Sequence, residues 1–254
     1  REYGVQFGRL DSPQRNLVLK HLVIEGCYNG ILAIFPEISP NTKPVIRGLL
    51  VYDVWIRNSP LIGFNCGQGP CNDMRLEALR VQMPGGGEDF GSGADAIGVE
   101  DGDNIVVFNA EVTGAAADGV DLKASRAVVA NVVVHDLARN GIKLWKQGDI
   151  INALIYNCDA DAAIVFHRGG TWRILNTVVA YHSRGGEAYA ATVAYDEVGE
   201  PGMLEVINTI FYQNTGGMWV SPTLKLDVRN SIFFGSPGGE VIWGDVRVGE
   251  DDQP

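Results

Sequence analysis

Two short phrases in the middle of the chain place an acidic and a basic side chain at equivalent positions. The phrase D-G-V-D-L-K covers residues 118–123, and N-G-I-K-L-W covers residues 140–145. Asp121 in the first phrase therefore corresponds to Lys143 in the second. A carboxylate beside an amine can hold a cation or exchange a proton with a substrate. The pair marks a candidate catalytic or metal-binding site.

The two phrases belong to a repeat that runs through the chain. A polar residue, most often Asn, interrupts successive hydrophobic runs, and we call these positions the anchors. The basal interval is about 22 residues, and the longer intervals carry insertions at 36–44, 84–93 and 185–202. Stacked Asn amides can hydrogen-bond along a column. The predicted anchors are His21, Asp53, Glu77, Asn109, Asn131, Asn152, Asn176, Asn208 and Asn230.

A repeat of this length predicts coils of short strands joined by tight turns. The strict hexapeptides of left-handed β-helices and the L-x-x-L-x-L signature of leucine-rich repeats are absent. The pattern resembles the right-handed parallel β-helix of the pectin-lyase-like superfamily. We therefore predict an all-β fold, a right-handed solenoid of about nine coils. It forms one domain over 1–254, with an acidic tail at 249–254. Because Arg1 stands in place of Met, a mature form or an excised fragment is expected.

The overall charge limits the classes of partner. The chain of 254 residues has 20 Lys and Arg against 31 Asp and Glu, a formal net charge of −11. Such an acidic balance argues against nucleic acid or an anionic membrane as the main partner. No apolar run is long enough to span a bilayer. We expect a monomer that binds neither nucleic acid nor membrane.

The four cysteines fall into two kinds. Cys66 and Cys71 flank a short turn and could close a small disulfide loop. Cys27 and Cys158 each lie six residues after an anchor, so they share a column but are five coils apart. At about 4.8 Å per coil they are about 24 Å apart, which is beyond disulfide reach. We predict that both are buried free thiols.

Strand alternation predicts which side chains point outward beside the two phrases. Val120, Leu122, Ile142, Leu144, Ile164 and Phe166 should face inward. Three outward columns follow: Gly98, Asp121, Lys143 and Val165; then Glu100, Lys123, Trp145 and His167; then Asp95, Asp118 and Asn140. We expect these acids and Lys143 to form one exposed patch, with Trp145, His167 and Arg168 beside it. Oxygen-rich clusters of this kind are what Ca²⁺ prefers, and Trp145 could stack on a sugar ring.

Each of these residues also has an ordinary structural interpretation. Asp or Asn before Gly is common turn chemistry, as at Asn29 and Gly30. An outward Asp above a Lys is often a surface ion pair of small energetic value, and a lone His167 is more often solvated than a ligand. Their joint occurrence on one face favours a functional site.

At these residues the sequence resembles the family nine pectate lyases, which carry a D-D-G-F-D type motif on one coil and an N-G-F-K-L-G type motif on a later one. The resemblance implies that Asp118, Asp121 and the upstream Asp95 bind Ca²⁺ and that Lys143 is the catalytic base. Ala117 stands where the family has the first of two paired aspartates, and Trp145 stands where it has Gly. We further expect the substrate to contact Trp145, His167, Lys123 and Asn140.

The implied reaction is β-elimination on an acidic polysaccharide by a secreted or cell-surface protein. Lys143 would have to be neutral, a form that Asp121 disfavours and a bound Ca²⁺ favours. Lyases of the alginate type, with Lys143 or Lys123 as base and Arg168 as acid, are a related alternative. A glycoside hydrolase would use paired carboxylates, but the Asp-Asp pair and G-H-G of polygalacturonases are missing. A non-catalytic structural or glycan-binding β-helix, as in surface adhesins, is the remaining alternative.

Overall fold

Short hydrophobic runs separated by corner residues form strands along the whole described chain. The structure is a computed structural model that describes residues 3–7, 13–33, 46–67, 69–83, 95–159, 162–168, 170–182, 191–194, 201–236, 242–243 and 245–248. These residues contain 25 strands and no helix. The all-β prediction is confirmed.

The strands are numbered in chain order. The first twelve are β1 (Tyr3–Phe7), β2 (Gln14–Arg15), β3 (Val18–Glu25), β4 (Asn29–Ala33), β5 (Ile46–Arg47), β6 (Leu50–Arg57), β7 (Ile62–Cys66), β8 (Cys71–Gln82), β9 (Ile97–Phe108), β10 (Glu111–Thr113), β11 (Val120–Ala124) and β12 (Ala127–Leu137). The others are β13 (Ile142–Leu144), β14 (Gly148–Cys158), β15 (Ile164–Phe166), β16 (Thr171–Leu175), β17 (Val178–Ala180), β18 (Thr192–Ala194), β19 (Gly202–Ile207), β20 (Ile210–Tyr212), β21 (Met218–Val220), β22 (Leu224–Arg229), β23 (Ile232–Phe234), β24 (Ile242–Trp243) and β25 (Asp245–Val248).

The strands stack in parallel, each against its counterparts one coil before and one coil after. Three sheets result, and the longest strands turn a corner from one sheet into the next. The site sheet contains β1, β4, β7, the start of β9, β11, β13, β15, β18, β21 and β24. The second sheet follows it in each coil, and the third sheet follows the anchors. This arrangement is consistent with a β-solenoid.

The interior is filled by alternate residues of all three sheets. The six side chains predicted to face inward from β11, β13 and β15 are fully buried, which confirms the predicted alternation. The rings of Phe166 and Trp172 stack inside the coils with their centroids 5.4 Å apart. Burying each such aromatic side chain contributes on the order of 2–3 kcal/mol. The core fixes which side chains remain on the outer face of the site sheet.

The anchors form the corner between the second and third sheets and adopt the left-handed backbone conformation. Their φ values lie between 50° and 55° at eight of the nine predicted positions. Asn, Asp and His tolerate this region better than most residues. The amides also stack: Asn152 donates to Asn131 at 2.8 Å, and Asn208 donates to Asn176 at 3.1 Å. The column therefore serves both backbone geometry and hydrogen bonding.

One predicted anchor is wrong by one residue. Ala78, and not Glu77, has the positive φ of 51°. Glu77 pairs with Tyr52 and Phe108 inside the second sheet. Alanine has no side-chain group that marks a left-handed corner in the sequence. The anchor was therefore predicted at the neighbouring polar residue, Glu77.

The cysteines behave as predicted. Cys66 and Cys71 form a disulfide, and Cys27 and Cys158 are buried and free. Burial raises the pKa of the Cys158 thiol to about 12. Cys158 is therefore a protonated core residue and an inert thiol at neutral pH.

Three of the regions singled out in the sequence fall outside the described residues. These are the insertions at 36–44 and 84–93 and the acidic tail at 249–254; the insertion at 185–202 is described only at 191–194 and 201–202. In the part of the chain that is described, no helix is long and apolar enough to cross a lipid bilayer.

Candidate functional site

The pairing of the site sheet brings the predicted acids and Lys143 together. Asp121 on β11 pairs with Gly98 on one side and with Lys143 on the other. Lys143 on β13 pairs in turn with Val165 on β15. These residues form the column expected from the repeat. Directly before the strands, the backbone N–H of Asp118 donates to the Asp95 carboxylate at 3.0 Å.

The predicted exposed patch is wrong in one respect, because its carboxylates are buried. Asp95 is 8% exposed, and Asp118 and Asp121 are 5% exposed each. The Lys143 side chain, at 19%, is more accessible. Three buried carboxylates close to one ammonium group leave the cluster with a surplus of negative charge when all are ionised.

One oxygen of each carboxylate is used to hold the coils together. Asp118 Oδ1 accepts from the backbone N–H of Asn140 at 3.2 Å and from its side-chain amide at 2.9 Å. Asp121 Oδ1 accepts from the indole N–H of Trp145 at 2.8 Å. Asp95 Oδ1 accepts from Asp118, as described above. These bonds confer a structural role on every acid of the cluster.

The other oxygens of two of these acids face the ammonium group of Lys143. Its Nζ lies 3.7 Å from Asp118 Oδ2 and 3.9 Å from Asp121 Oδ2. Both distances are long for a direct hydrogen bond and short enough for a strong charge interaction at a buried site. The amine is thus placed between two carboxylates on an accessible surface.

Trp145 is the centre of a second group of side chains beside the acids. Its ring stacks on His167 with centroids 4.6 Å apart and planes 19° apart. The cationic groups of Lys143, Lys123 and Arg168 lie 5.0, 5.2 and 5.4 Å from the ring centroid. A planar ring has two faces, so at most one remains for a sugar. Trp145 positions Asp121 as well as offering a stacking surface.

Lys123 forms an ion pair with Glu100. Its ammonium donates to the Glu100 carboxylate in a short ion pair. Burial acts to lower the pKa of Lys123, but the bond to Glu100 and the charge of Asp121 outweigh it and raise the pKa above its usual value. Lys123 therefore stays charged, which suits attraction of an anionic polymer and does not suit a base.

Two of the buried acids are hard to ionise. Burial, together with the neighbouring charges of Asp118 and Asp121, raises the pKa of Asp95 to about 7. Burial also raises the pKa of Asp121 to about 6, although the charge of Lys143 acts to lower it. Both pKa shifts have the same largest cause, which is the burial of the carboxyl group away from water.

These shifts predict that stability falls as pH rises from about 4 to about 7. In that range the folded protein keeps protons on Asp95 and Asp121 that the unfolded chain has lost, so higher pH favours unfolding. Each such group contributes about 1.4 kcal/mol per pH unit between its two pKa values. Urea unfolding of Asp95→Asn at pH 4.5 to 7.5 should show a correspondingly shallower slope. Asparagine keeps the oxygen that accepts from Asp118.

Asp53→Asn is the matched control for that measurement. Asp53 is an exposed carboxylate at an anchor where other coils carry Asn. Its substitution should leave the slope as in the wild type. An unchanged slope in Asp95→Asn would show that Asp95 is ionised normally in the folded protein.

Asn65 belongs to the same column and was missed in the sequence. Asn65 pairs with Gly98, and Gly98 pairs with Asp121 in the next coil. A Cβ on Gly98 would come within 2.9 Å of the Asn65 amide nitrogen and 3.5 Å of Asp95 Oδ2. A side chain at Gly98 would therefore collide with the Asn65 amide, and the glycine lets that amide lie against the backbone of the column. Counting the column back by one coil would have found Asn65.

The residues present fit a calcium ion in type and charge. Oxygen ligands, excess negative charge and raised carboxyl pKa values all favour a bound cation. The side-chain oxygen of Asn140 is buried and accepts no hydrogen bond among the described residues. It is therefore available next to Asp118 as a further oxygen ligand for a metal ion. However, no three His, Cys, Asp or Glu side chains within the described ranges are grouped closely enough to form a ready metal site. Side chains of this cluster would have to rearrange to surround an ion.

Neither protein-family models nor curated protein sequences give a match to this chain. Ala117, the departure from the pectate lyase motif, is buried. The resemblance to pectate lyases thus stays a prediction from the two short phrases and the repeat.

Proposed function

We propose that this protein is a polysaccharide lyase that cleaves a uronate polymer by β-elimination, with Lys143 as the base. The observation that carries the proposal is the position of the Lys143 amine, which lies within 4 Å of two buried carboxylates on the accessible side of the site sheet. The surrounding cations Lys123 and Arg168 suit an anionic substrate in spite of the net charge of the chain.

We also infer that the solenoid is a right-handed β-helix of the pectin-lyase-like superfamily. Successive strands of each sheet are parallel and joined by a crossover through the other two sheets. Such crossovers are right-handed in about 98% of cases, because of the twist of the strands. The outward column that places Asp121 beside Lys143 supports the assignment to this superfamily.

The chemistry assigned to Lys143 requires it to lose its proton first. In the elimination, the amine takes the proton from C5 of the uronate, and the C5–H electron pair forms the C4–C5 double bond as the C4–O bond breaks. The leaving oxygen keeps the electron pair of that bond and takes a proton from Arg168 or from water. Asp118 and Asp121 orient the amine, but they also favour its charged form.

A calcium ion held by Asp95, Asp118 and Asp121 would supply positive charge next to the substrate carboxylate. These acids would then no longer serve as counter-ions of Lys143, and the nearby ion would favour the neutral form of the amine. Calcium binding and loss of the Lys143 proton are thus coupled, because both involve the carboxylates of Asp118 and Asp121.

A cleavage assay on polygalacturonate and on alginate tests the proposal. Purified protein should release unsaturated uronides from one of these polymers, with a higher rate in the presence of Ca²⁺ than after chelation. Preference for alginate would favour the related lyase type with Arg168 as acid. Absence of product from both polymers, with folded protein, would contradict the lyase proposal.

The second candidate is a non-catalytic glycan-binding protein. It is favoured by the bonds that tie Asp95, Asp118 and Asp121 to the next coil, because these bonds explain the acids without any reaction. In that case either polymer should bind without being cleaved, and Lys143→Ala should change affinity alone.

A further inference from the structure

A groove follows the corner between the second and third sheets, and no residue of the site sheet lines it. We call it the corner groove; its volume is about 710 Å³. One wall consists of the anchors from His21 to Asn131, and the other consists of outward residues of the third sheet, including Trp55, Arg80 and Glu111. It crosses five coils, a length of about 19 Å at the usual strand spacing. This length suits an extended oligomer.

The charged groups that line the corner groove are paired with one another. His21 Nδ1 lies 2.8 Å from the Asp53 carboxylate, and the Arg80 guanidinium lies 3.9 Å from Glu111. Asn109 and Asn131 add neutral amides to the same surface. With histidine neutral, the groove carries two carboxylates, Asp53 and Glu111, against the single guanidinium of Arg80. An anionic polymer therefore gains little here, in contrast to the candidate site, where three cationic groups surround the ring of Trp145.

The backbone along the middle of the corner groove is not open to an added peptide strand. β6 pairs with β3 and β8, and β8 pairs with β6 and β10, so these strands have neighbours on both sides, whereas β3 at one end of the groove pairs with β6 alone among the described residues. Recognition by β-augmentation needs an unpaired edge. A ligand that lies along the groove over β6, β8 and β10 must therefore be recognised by side chains.

Those side chains have the chemistry that recognises an uncharged chain of hydroxyl groups. The guanidinium of Arg57 lies over one face of the Trp55 indole, 4.4 Å from the ring centroid, so the opposite face is the apolar surface that a ligand can contact. Planar carboxylate, amide and guanidinium groups of the groove offer both donors and acceptors beside it. A concave surface that combines an aromatic ring with a few fixed polar groups is typical of small-molecule and oligomer binding. We propose that the corner groove binds a linear, uncharged polysaccharide.

Calorimetric titration of the whole chain with cellohexaose, xylohexaose and mannohexaose tests this proposal. At least one of the three should bind. Trp55→Ala should weaken that binding about tenfold, since it removes the aromatic surface. Glu111→Gln, at a side chain 53% exposed, should weaken it about threefold by altering one hydrogen bond. This second variant carries the test if Trp55→Ala fails to fold.

Phe234→Ala is the matched control, because Phe234 is 59% exposed on the third sheet outside the groove. Its binding should equal that of the wild type. Hexagalacturonate and an uncharged hexapeptide complete the test. The proposal is overturned if no neutral oligosaccharide binds, if Trp55→Ala and Glu111→Gln bind as the wild type does, or if the two groove variants weaken only the uronate or the peptide. None of these outcomes depends on cleavage at Lys143.

Discussion

Lys143→Ala is expected to lower the rate of unsaturated uronide release by about 10³-fold, the usual contribution of a general base. The Lys143 amine is the accessible base candidate that lies between the buried carboxylates, and no atom of alanine can take its place. Initial rates on the preferred polymer, with Ca²⁺ at saturation, measure the effect. Lys225→Ala is the control, since Lys225 is an exposed lysine on the second sheet, and it should keep the wild-type rate.

Lys143→Arg separates the base from the charge. Arginine retains the positive charge between Asp118 and Asp121, but it does not lose its proton at any accessible pH. It should therefore fold normally and be as inactive as the alanine variant. A rate within a few-fold of the wild type in Lys143→Arg would show that the amine acts by charge alone, and that another group takes the proton.

Ca²⁺ is expected to stabilise the folded protein through the buried acids. At about a hundred times the dissociation constant, a ligand that binds only the folded state adds about 2.7 kcal/mol to the free energy of unfolding. Thermal or urea unfolding with added Ca²⁺, and again after chelation, measures this gain without any substrate. Asp121→Asn should remove most of it, because the amide is a weaker ligand yet still accepts from the Trp145 indole.

The same unfolding measurements include a control variant and the outcomes that would contradict the prediction. Asp53→Asn changes an exposed carboxylate at an anchor and should keep the full gain. If Asp121→Asn is stabilised as much as the wild type, the ion binds elsewhere. If the wild type gains nothing, the buried acids do not bind Ca²⁺, and the calcium part of the proposal is contradicted.

The repeat made much of the fold predictable. Because strand side chains alternate with a period of two and the coils recur about every 22 residues, the inward positions and the pairing of Asp121 with Lys143 follow from counting. The error at Glu77 has a specific cause. A left-handed corner is marked by Asn, Asp or His in most coils, whereas Ala78 adopts it with no such marker.

The environment of the site was less predictable than its position. Burial of Asp121 depends on how the long side chains of Lys143 and Trp145 fold over it, and rotamers are not encoded in the spacing of the repeat. The bond from the indole of Trp145 to Asp121, and the stacking of that ring on His167, likewise appear only in three dimensions. Consequently, the pairing of Asp121 with Lys143 was predictable from sequence, while the raised carboxyl pKa values around it were not.

The structure of the product tests the central claim most directly. NMR spectroscopy of the oligosaccharides released from the preferred uronate polymer distinguishes elimination from hydrolysis. The proposed role of Lys143 predicts a double bond between C4 and C5 at each non-reducing end that cleavage creates, formed by the wild type and not by Lys143→Arg. Saturated sugars at these newly created ends, or an intact polymer after incubation with folded protein and Ca²⁺, would contradict it.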